Sequence, residues 1–206
     1  MILLDSMKEY ILLQRTGINP EDVESGFKRS LERDFNMFKM YLPENLSSVL
    51  DIGCGLGGID LLIYEYYNPR CEVNLHLFDK TEKKDIFYGF NQEYCFYNDL
   101  GVAKDFLILN GVNPKNIVTY EVGEASPFIK NNKYDLIISL VSWGFHYPIS
   151  KYILPVTQHI QDDGLLILDI RKGVSGEAEL QNYFEDIQII ESHRKYNTYK
   201  CTKKIM

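Results

Sequence analysis

A run of ten residues, VLDIGCGLGG from Val49 to Gly58, carries the clearest chemical potential of the chain. Asp51 precedes three glycines at alternate positions, Gly53, Gly55 and Gly57. Glycine tolerates positive φ and places no Cβ between backbone and ligand, and a helix beginning after the turn offers free N–H groups. Turns that bind phosphate usually have no charge before the first glycine. Asp51 therefore favours a cationic or hydroxyl-bearing ligand.

A second acid, Asp79, ends a predicted strand 22 positions after Gly57 and is followed by Lys80. An acid about 20 residues beyond a glycine turn can accept hydrogen bonds from both hydroxyls of a ribose. The glycine turn and Asp79 together predict a site for a ligand that contains a ribose.

The elements that must position these residues alternate from Val49 onward. Strands are predicted over 49–52, 73–78, 116–120, 134–140 and 165–170, and helices over 58–67, 98–110, 149–160 and 177–184. A turn at Asp162–Gly164 precedes the strand over 165–170, and two last strands, 187–192 and 196–202, should pair antiparallel. Alternation of this kind implies right-handed crossovers and a mostly parallel sheet with helices on both faces.

Two helices are predicted ahead of the first strand. The second is marked by Asn19 as N-cap and Pro20 at the first helical position, followed by an apolar stripe at three- and four-residue steps. We expect residues 1–45 to form an N-terminal helical segment and residues 46–206 to form the main domain. The helices act either as a lid over the mouth of the site or as a packing layer.

These landmarks resemble those of class I S-adenosylmethionine (SAM) dependent methyltransferases. Asp51–Gly57 matches the acid-x-Gly-x-Gly-x-Gly motif, and Tyr134–Ser139 is similar to the family's Phe-Asp-Leu-Ile signature. Glu124 occupies the place of an acid that caps the adenine amino group, with Glu121 as the alternative. The resemblance implies an α/β, Rossmann-like fold with a seven-stranded sheet and a terminal antiparallel hairpin. It also implies that SAM is bound and S-adenosylhomocysteine released, with the cofactor held by Asp51, Gly53, Cys54, Gly55, Gly57, Asp79, Lys80 and Glu124.

The segment SLVSWGFHYP, 139–148, is predicted to be a loop at the carboxyl end of a central strand, where open α/β sheets bind their ligands. A hydroxyl acceptor must lose its proton when it attacks a methyl group, and histidine suits that role at neutral pH. His146 is therefore the predicted catalytic base. Trp143, Tyr147 and Tyr94 are the predicted acceptor-binding residues.

Asp169, at the end of the strand over 165–170, is an alternative metal ligand, but no second and third carboxylate accompany it clearly. The four cysteines show neither a C-x-x-C pair nor zinc spacing, so no metal site is expected.

The aromatic segment over 89–98 and the Trp143 loop are similar to those of small bacterial enzymes that methylate sugars of surface polysaccharides or secondary metabolites. We therefore expect a sugar or sugar-nucleotide hydroxyl as acceptor. Two alternatives stay open. Gly53, Gly55 and Gly58 also satisfy the nicotinamide-dinucleotide fingerprint, which would suit an oxidoreductase, although no Tyr-x-x-x-Lys pair follows in the expected place. A SAM-binding protein without its own catalysis would keep every cofactor residue.

Composition narrows the partners. The chain has 206 residues and a formal net charge of −7, and it lacks the clustered lysines and arginines that replace counterions on nucleic acid. No apolar run approaches the ~18 residues that a membrane span requires. The N-terminus, with Asp5 and Glu9 in its apolar stretch, is not typical of a signal peptide. We expect a cytoplasmic protein with a small-molecule acceptor, without a nucleic-acid or membrane partner, and leave its oligomeric state open.

Overall fold

The structure, a computed structural model, describes residues 1–15, 17–82, 89–90, 98–129 and 131–205. Its helices are α1 (Asp5–Gln14), α2 (Val23–Phe38), α3 (Gly58–Tyr67), α4 (Leu100–Leu109), α5 (Ile153–His159) and α6 (Gly176–Leu180). Its strands are β1 (Ser48–Ile52), β2 (Asn74–Asp79), β3 (Ile117–Glu121), β4 (Tyr134–Ser139), β5 (Ser142–Tyr147), β6 (Ile160–Arg171), β7 (Phe184–Ser192) and β8 (Tyr196–Lys204).

Seven of these strands form one sheet in the order β3-β2-β1-β4-β6-β8-β7. The first five are parallel, whereas β8 is antiparallel to both β6 and β7. The chain moves outward from β1 to β3 and then returns to place β4 on the other side of β1. The carboxyl ends of β1 and β4 therefore flank a topological switch point, the place where open α/β sheets bind ligands. The predicted mostly parallel seven-stranded sheet with a terminal hairpin is confirmed.

The connection between β1 and α3 follows the glycine pattern closely. Gly53, Gly55 and Gly57 all have positive φ, at 78°, 55° and 78°, and Gly57 is the N-cap of α3. Only glycine adopts this conformation without steric cost. The alternate glycines thus turn the chain from a buried strand directly into a helix.

Two segments differ from the prediction. The segment predicted as a loop contains the strand β5, which lies against β6 and outside the seven-strand order. The turn predicted at Asp162–Gly164 lies within β6, where the pairing passes from Tyr134↔Ile160 to Leu136↔Leu165. Between these two pairs β6 contains three more residues than β4. The extra residues form an irregularity within β6, and the strand continues past them.

The N-terminal helices share a hydrophobic cluster with the central sheet. Asn19 caps a 3₁₀ turn over Pro20–Asp22, from which α2 continues, so the predicted helix start is confirmed with a tighter first turn. A Cβ at Gly58 would lie 2.7 Å from Leu31 and 2.9 Å from Phe27 of α2. Close packing of α2 on α3 therefore accounts for Gly58, the residue that completes the dinucleotide fingerprint.

Across the described ranges, every helix falls short of the length and apolar character needed to cross a bilayer.

Candidate active site

A pocket opens at the carboxyl edge of the sheet, between the glycine turn and the end of α1. Its wall includes Gly53 and Gly55, Asp79 from β2 and His146 from β5. Gln14, Arg15 and Asp34 close the pocket from the N-terminal helices. Asp51 lines an adjoining cavity that shares Gln14, Arg15 and Gly53 with it. The fold thus brings Asp51, Asp79 and His146 to one edge, as predicted from their order in the chain.

Asp79 connects β2 to the glycine turn. One carboxylate oxygen accepts from the backbone N–H of Gly55 at 2.9 Å and from the Asn98 amide at 2.9 Å, and the other accepts from the Lys80 N–H at 2.8 Å. Burial raises the pKa of Asp79 to about 6, and these three donors oppose the rise. The Cys54 sulfur lies 3.9 Å from the same carboxylate, and burial together with neighbouring acids raises the pKa of its thiol.

Two residues that sequence reasoning missed complete this network. Asn98 donates to the Gly55 carbonyl at 2.7 Å in addition to Asp79, and its own amide oxygen accepts from Gln14 at 3.1 Å. The Gln14 oxygen accepts from the Leu56 N–H at 3.2 Å. Both are uncharged amides far from the glycine motif in sequence, and only the position of Asn98 beside the α4 N-cap hinted at its placement.

Neighbouring side chains fill the space that a Cβ would occupy at two glycines. A Cβ at Gly53 would lie 1.8 Å from the Ser142 hydroxyl oxygen, and one at Gly55 would lie 2.7 Å from the Gln14 oxygen. A larger residue at either position would therefore push these polar groups out of the site.

Behind the turn lie two buried carboxyls, Asp51 at the end of β1 and Asp60 in the first turn of α3. Burial, followed by the charges of Asp60 and Asp79, raises the pKa of Asp51 well above its usual range. Burial also raises the pKa of Asp60 to about 7. The glycine turn is therefore backed by a group of acids that favours a cationic ligand.

His146 is 4% exposed and shares the pocket-facing side of β5 with Ser142. Its Nδ1 lies 2.8 Å from the Gly89 carbonyl oxygen. Because a carbonyl only accepts, Nδ1 carries the hydrogen and Nε2 is the basic nitrogen of the ring. Burial lowers the pKa of His146, against the effect of the Gly89 carbonyl, so the ring is neutral at pH 7.

The three predicted acceptor residues have different positions. Trp143 is 0% exposed in the core, and its indole N–H donates to the Ile149 carbonyl at 3.1 Å. Tyr147 lines a small cavity with Asp79 and Val122, on the Asp79 side of the site. Tyr94 lies outside the described residues. Trp143 therefore supports the site from behind, and only Tyr147 of the described pair reaches a cavity.

Asp169 holds the link between β4 and β5. It accepts from the backbone N–H of Val141 at 2.9 Å and from the Thr198 hydroxyl at 2.5 Å, one bond on each oxygen. Val141 has a positive φ of 53°, which is costly for a β-branched residue. Asp169 thus stabilises the conformation that brings Ser142 and His146 into the pocket.

Solved structures match most of the chain. A methyltransferase from Pyrococcus furiosus is 14% identical, with a TM-score of 0.56 over 85% of this chain and 83% of that one. The StiE O-MT is also 14% identical, with a TM-score of 0.61 over 93% of this chain and 80% of that one. A precorrin-6y C5,15-methyltransferase from Geobacter metallireducens is 13% identical, with a TM-score of 0.56 over 83% of this chain and 87% of that one. The fold is that of the class I SAM-dependent methyltransferases. No protein-family model and no curated protein matches the sequence.

Within this methyltransferase fold, the two acids considered for adenine have separate environments. The Glu121 carboxylate accepts from both the backbone N–H and the hydroxyl of Thr81, at 2.7 and 3.0 Å. Glu124 lies in an exposed turn after β3. Since Glu121 already joins β3 to the residue after Lys80, Glu124 stays the predicted adenine contact.

The buried acids make stability fall with rising pH. The pKa values of Asp60 and Asp169 are raised to about 7, and that of Asp51 is also raised. These groups keep protons in the folded protein that the unfolded chain has released, so the stability they contribute is lost as pH rises through the folded values. Burial lowers the pKa values of His76 and His146, so these two residues make stability rise with pH, but only below about pH 6.5.

We therefore expect the melting temperature of the ligand-free protein to fall between pH 6.5 and 8. The fall should be several degrees, because 1 kcal/mol corresponds to about 2–4 °C at this chain length. Asp60→Asn should make the fall smaller, because Asp169 still contributes to it, whereas Asp105→Asn, at an exposed position on α4, should leave the profile unchanged. A melting temperature that is constant or rises over this interval would contradict the assignment.

Proposed function

We propose that this protein is a SAM-dependent methyltransferase that transfers the methyl group to a hydroxyl of a small acceptor. The observation that carries the proposal is the glycine turn at the switch point of a class I methyltransferase fold, with Asp51 behind it and Asp79 beside it. A SAM-binding protein without catalysis would share these features, and His146 distinguishes the two.

The residues of the site fit the chemical groups of SAM. Asp79 offers a carboxylate to the two ribose hydroxyls, and Asp51 offers one to the ammonium group of the amino-acid part. The glycines leave room for Ser142 and Gln14 beside the turn, which keeps these two polar groups at the site. Glu124 is the residue that we propose as acceptor for the adenine amino group. The bound cofactor supplies an electrophilic methyl group on a positively charged sulfur.

The protein's own contribution to the reaction centres on His146. Its Nε2 is the basic nitrogen because Nδ1 donates to Gly89, and burial holds the ring neutral. A neutral imidazole accepts the proton of an acceptor hydroxyl as that oxygen attacks. Asp169 and Arg171 position the strand that carries His146, through Val141 and the Phe145 carbonyl respectively.

A sugar or sugar nucleotide is the acceptor class that we propose. A histidine that is neutral at physiological pH can take the proton of an alcohol, whereas an amine with an available lone pair needs no such base. The net charge of −7 disfavours nucleic acid as a partner. A panel of free sugars, nucleotide sugars and catechols, scored by formation of S-adenosylhomocysteine, tests this class. Turnover confined to the catechols would contradict the sugar as acceptor class but would still support methyl transfer to a hydroxyl.

A thermal-shift comparison tests the choice of cofactor. SAM or S-adenosylhomocysteine should raise the melting temperature, because a ligand that binds only the native state stabilises it by about 2.7 kcal/mol at a hundredfold excess over its Kd. NAD and NADP should have no effect. Stabilisation by NAD alone would contradict the methyltransferase proposal and restore the oxidoreductase alternative.

A further inference from the structure

Asp60 is a costly residue for the fold. Its side chain is 0% exposed, and neither oxygen has a hydrogen-bond partner of standard geometry within the described residues. In the same ranges no other buried side-chain nitrogen or oxygen lacks a partner. Burying an unpaired carboxylate costs several kcal/mol in general. Burial without such partners therefore favours the protonated, uncharged form of Asp60, for which the cost is smaller.

The group beside Asp60 is the carboxyl of Asp51, which is 5% exposed. A carboxylate only accepts hydrogen bonds, so two carboxyls can bond to each other only when one of them is protonated. Burial and repulsion between the two charges both favour keeping that proton. The two groups therefore behave as one pair that shares a proton before a ligand binds.

Among the described residues, the other groups around the pair do not neutralise it. From β2, Asp79 adds a further acid, and the glycine turn adds the Cys54 thiol. Packing of α2 brings apolar side chains, Phe27 and Leu31, to the start of α3. Arg15 lines the cavity in front of Asp51 but is paired with Asp34 of α2 at 2.7 Å.

We propose that Asp60 is a positioning residue that couples ligand binding at Asp51 to the release of a proton. Before binding, the two carboxyls hold one proton and one negative charge. When a protonated amine docks on Asp51, its positive charge offsets the repulsion between the two carboxylates and lowers the pKa of the pair. The shared proton then leaves to solvent, and the pair carries two negative charges beside the ammonium. The number of protons is balanced by uptake into the buffer.

This inference rests on the proposed function, which supplies an amino-acid group as the ligand of Asp51. An ammonium donates N–H bonds to a carboxylate, whereas a sulfonium has no hydrogen to donate. Proton release therefore depends on the ammonium group of the ligand and not on the methyl group of SAM. SAM and S-adenosylhomocysteine should both release a proton from the pair. The compound 5′-methylthioadenosine lacks the amino-acid group and should release only the smaller amount that its ribose displaces from Asp79.

Calorimetry in two buffers of different ionisation enthalpy tests the coupling. S-adenosylhomocysteine and 5′-methylthioadenosine are titrated into the protein at pH 6.5 in phosphate and in Bis-Tris, and the difference in heat gives the protons released. We expect S-adenosylhomocysteine to release a large fraction of one proton more than 5′-methylthioadenosine, because both ligands share the ribose contact with Asp79 and only the first reaches Asp51. This comparison uses the wild-type protein and needs no variant to fold.

Two variants then assign the effect to Asp60. Asp60→Asn gives Asp51 an amide donor in place of the shared proton, so S-adenosylhomocysteine should bind and release no more protons than 5′-methylthioadenosine does. Asp105→Asn should behave like the wild type.

Three results would overturn the inference: no proton release with S-adenosylhomocysteine, equal release with both ligands, or full release from Asp60→Asn. Failure of the wild type to bind either ligand would overturn the proposed function as well, so the two failures can be told apart.

Discussion

Replacing His146 by glutamine is expected to lower turnover by about 10²–10⁴-fold, the contribution of a positioned general base. Glutamine can still donate an N–H to the Gly89 carbonyl, but it has no nitrogen that accepts a proton at neutral pH. Cofactor affinity should be nearly unchanged, because the cofactor contacts that we propose involve Asp51, Asp79 and Glu124.

The pH profile adds a second test of the same residue. Because burial lowers the pKa of His146, wild-type turnover should rise with pH below the ordinary imidazole range and level off by neutral pH. The variant should lack this rise. Both measurements use the best acceptor from the sugar panel.

His159 provides a matched control for His146. Its Nδ1 also lies 2.8 Å from a backbone carbonyl oxygen, that of Pro155, but it belongs to α5 and is not part of the pocket wall. His159→Gln should retain full activity. Equal rates and identical pH profiles for His146→Gln and the wild type would reduce His146 to a structural residue.

Replacing Asp79 by asparagine is expected to weaken SAM binding by about 10–150-fold. This range corresponds to about 1.5–3 kcal/mol, the usual worth of hydrogen bonds to a charged group. The carboxylate is the acceptor that we propose for both ribose hydroxyls. An amide has a single accepting oxygen and would also place a donor near the N–H of Gly55.

An analogue without the ribose hydroxyls separates the two effects of this substitution. If Asp79 binds the ribose, a 2′,3′-dideoxy form of 5′-methylthioadenosine should bind the wild type and Asp79→Asn with similar affinity. The affinity of 5′-methylthioadenosine itself should fall by the full factor in Asp79→Asn. An equal loss for both forms would show that Asp79 only maintains the glycine turn, and an unchanged SAM affinity in a folded variant would exclude both roles.

The sequence was most informative where backbone geometry is local. The glycine turn and the bounds of α3 follow from residues within ten positions, because positive φ at alternate sites requires glycine. The mostly parallel sheet with its terminal hairpin was predictable for a related reason. Apolar runs separated by helical segments leave few topologies once crossovers must be right-handed.

Strand β5 was not accessible in this way. Pro148 marks its end, but only Leu140 and Val141 separate it from β4, and its conformation depends on contacts from β6. Arg171 donates to the Phe145 carbonyl at 2.8 Å, and Asp169 stabilises the left-handed Val141. Those partners lie more than 25 positions away in the chain, so no local pattern contains them.

The candidate site divides in the same way. Asp51, Asp79 and His146 were predicted from the sequence because each lies at or just beyond the carboxyl end of a predicted strand, and parallel strands bring those ends to one edge. Gln14 was not, since only the packing of α1 over the glycine turn brings its amide to Leu56.

Asp60 shows the limit most clearly. By sequence it is an acid in the first turn of a helix, a position that the helix dipole favours on exposed and buried faces alike. The sequence by itself therefore determined the turn, the succession of strands and helices and the acids at the strand ends, because these depend on local φ, ψ and periodicity. Tertiary structure alone decided that Asp60 is buried against Asp51, because burial depends on how α3 packs between the sheet and α2.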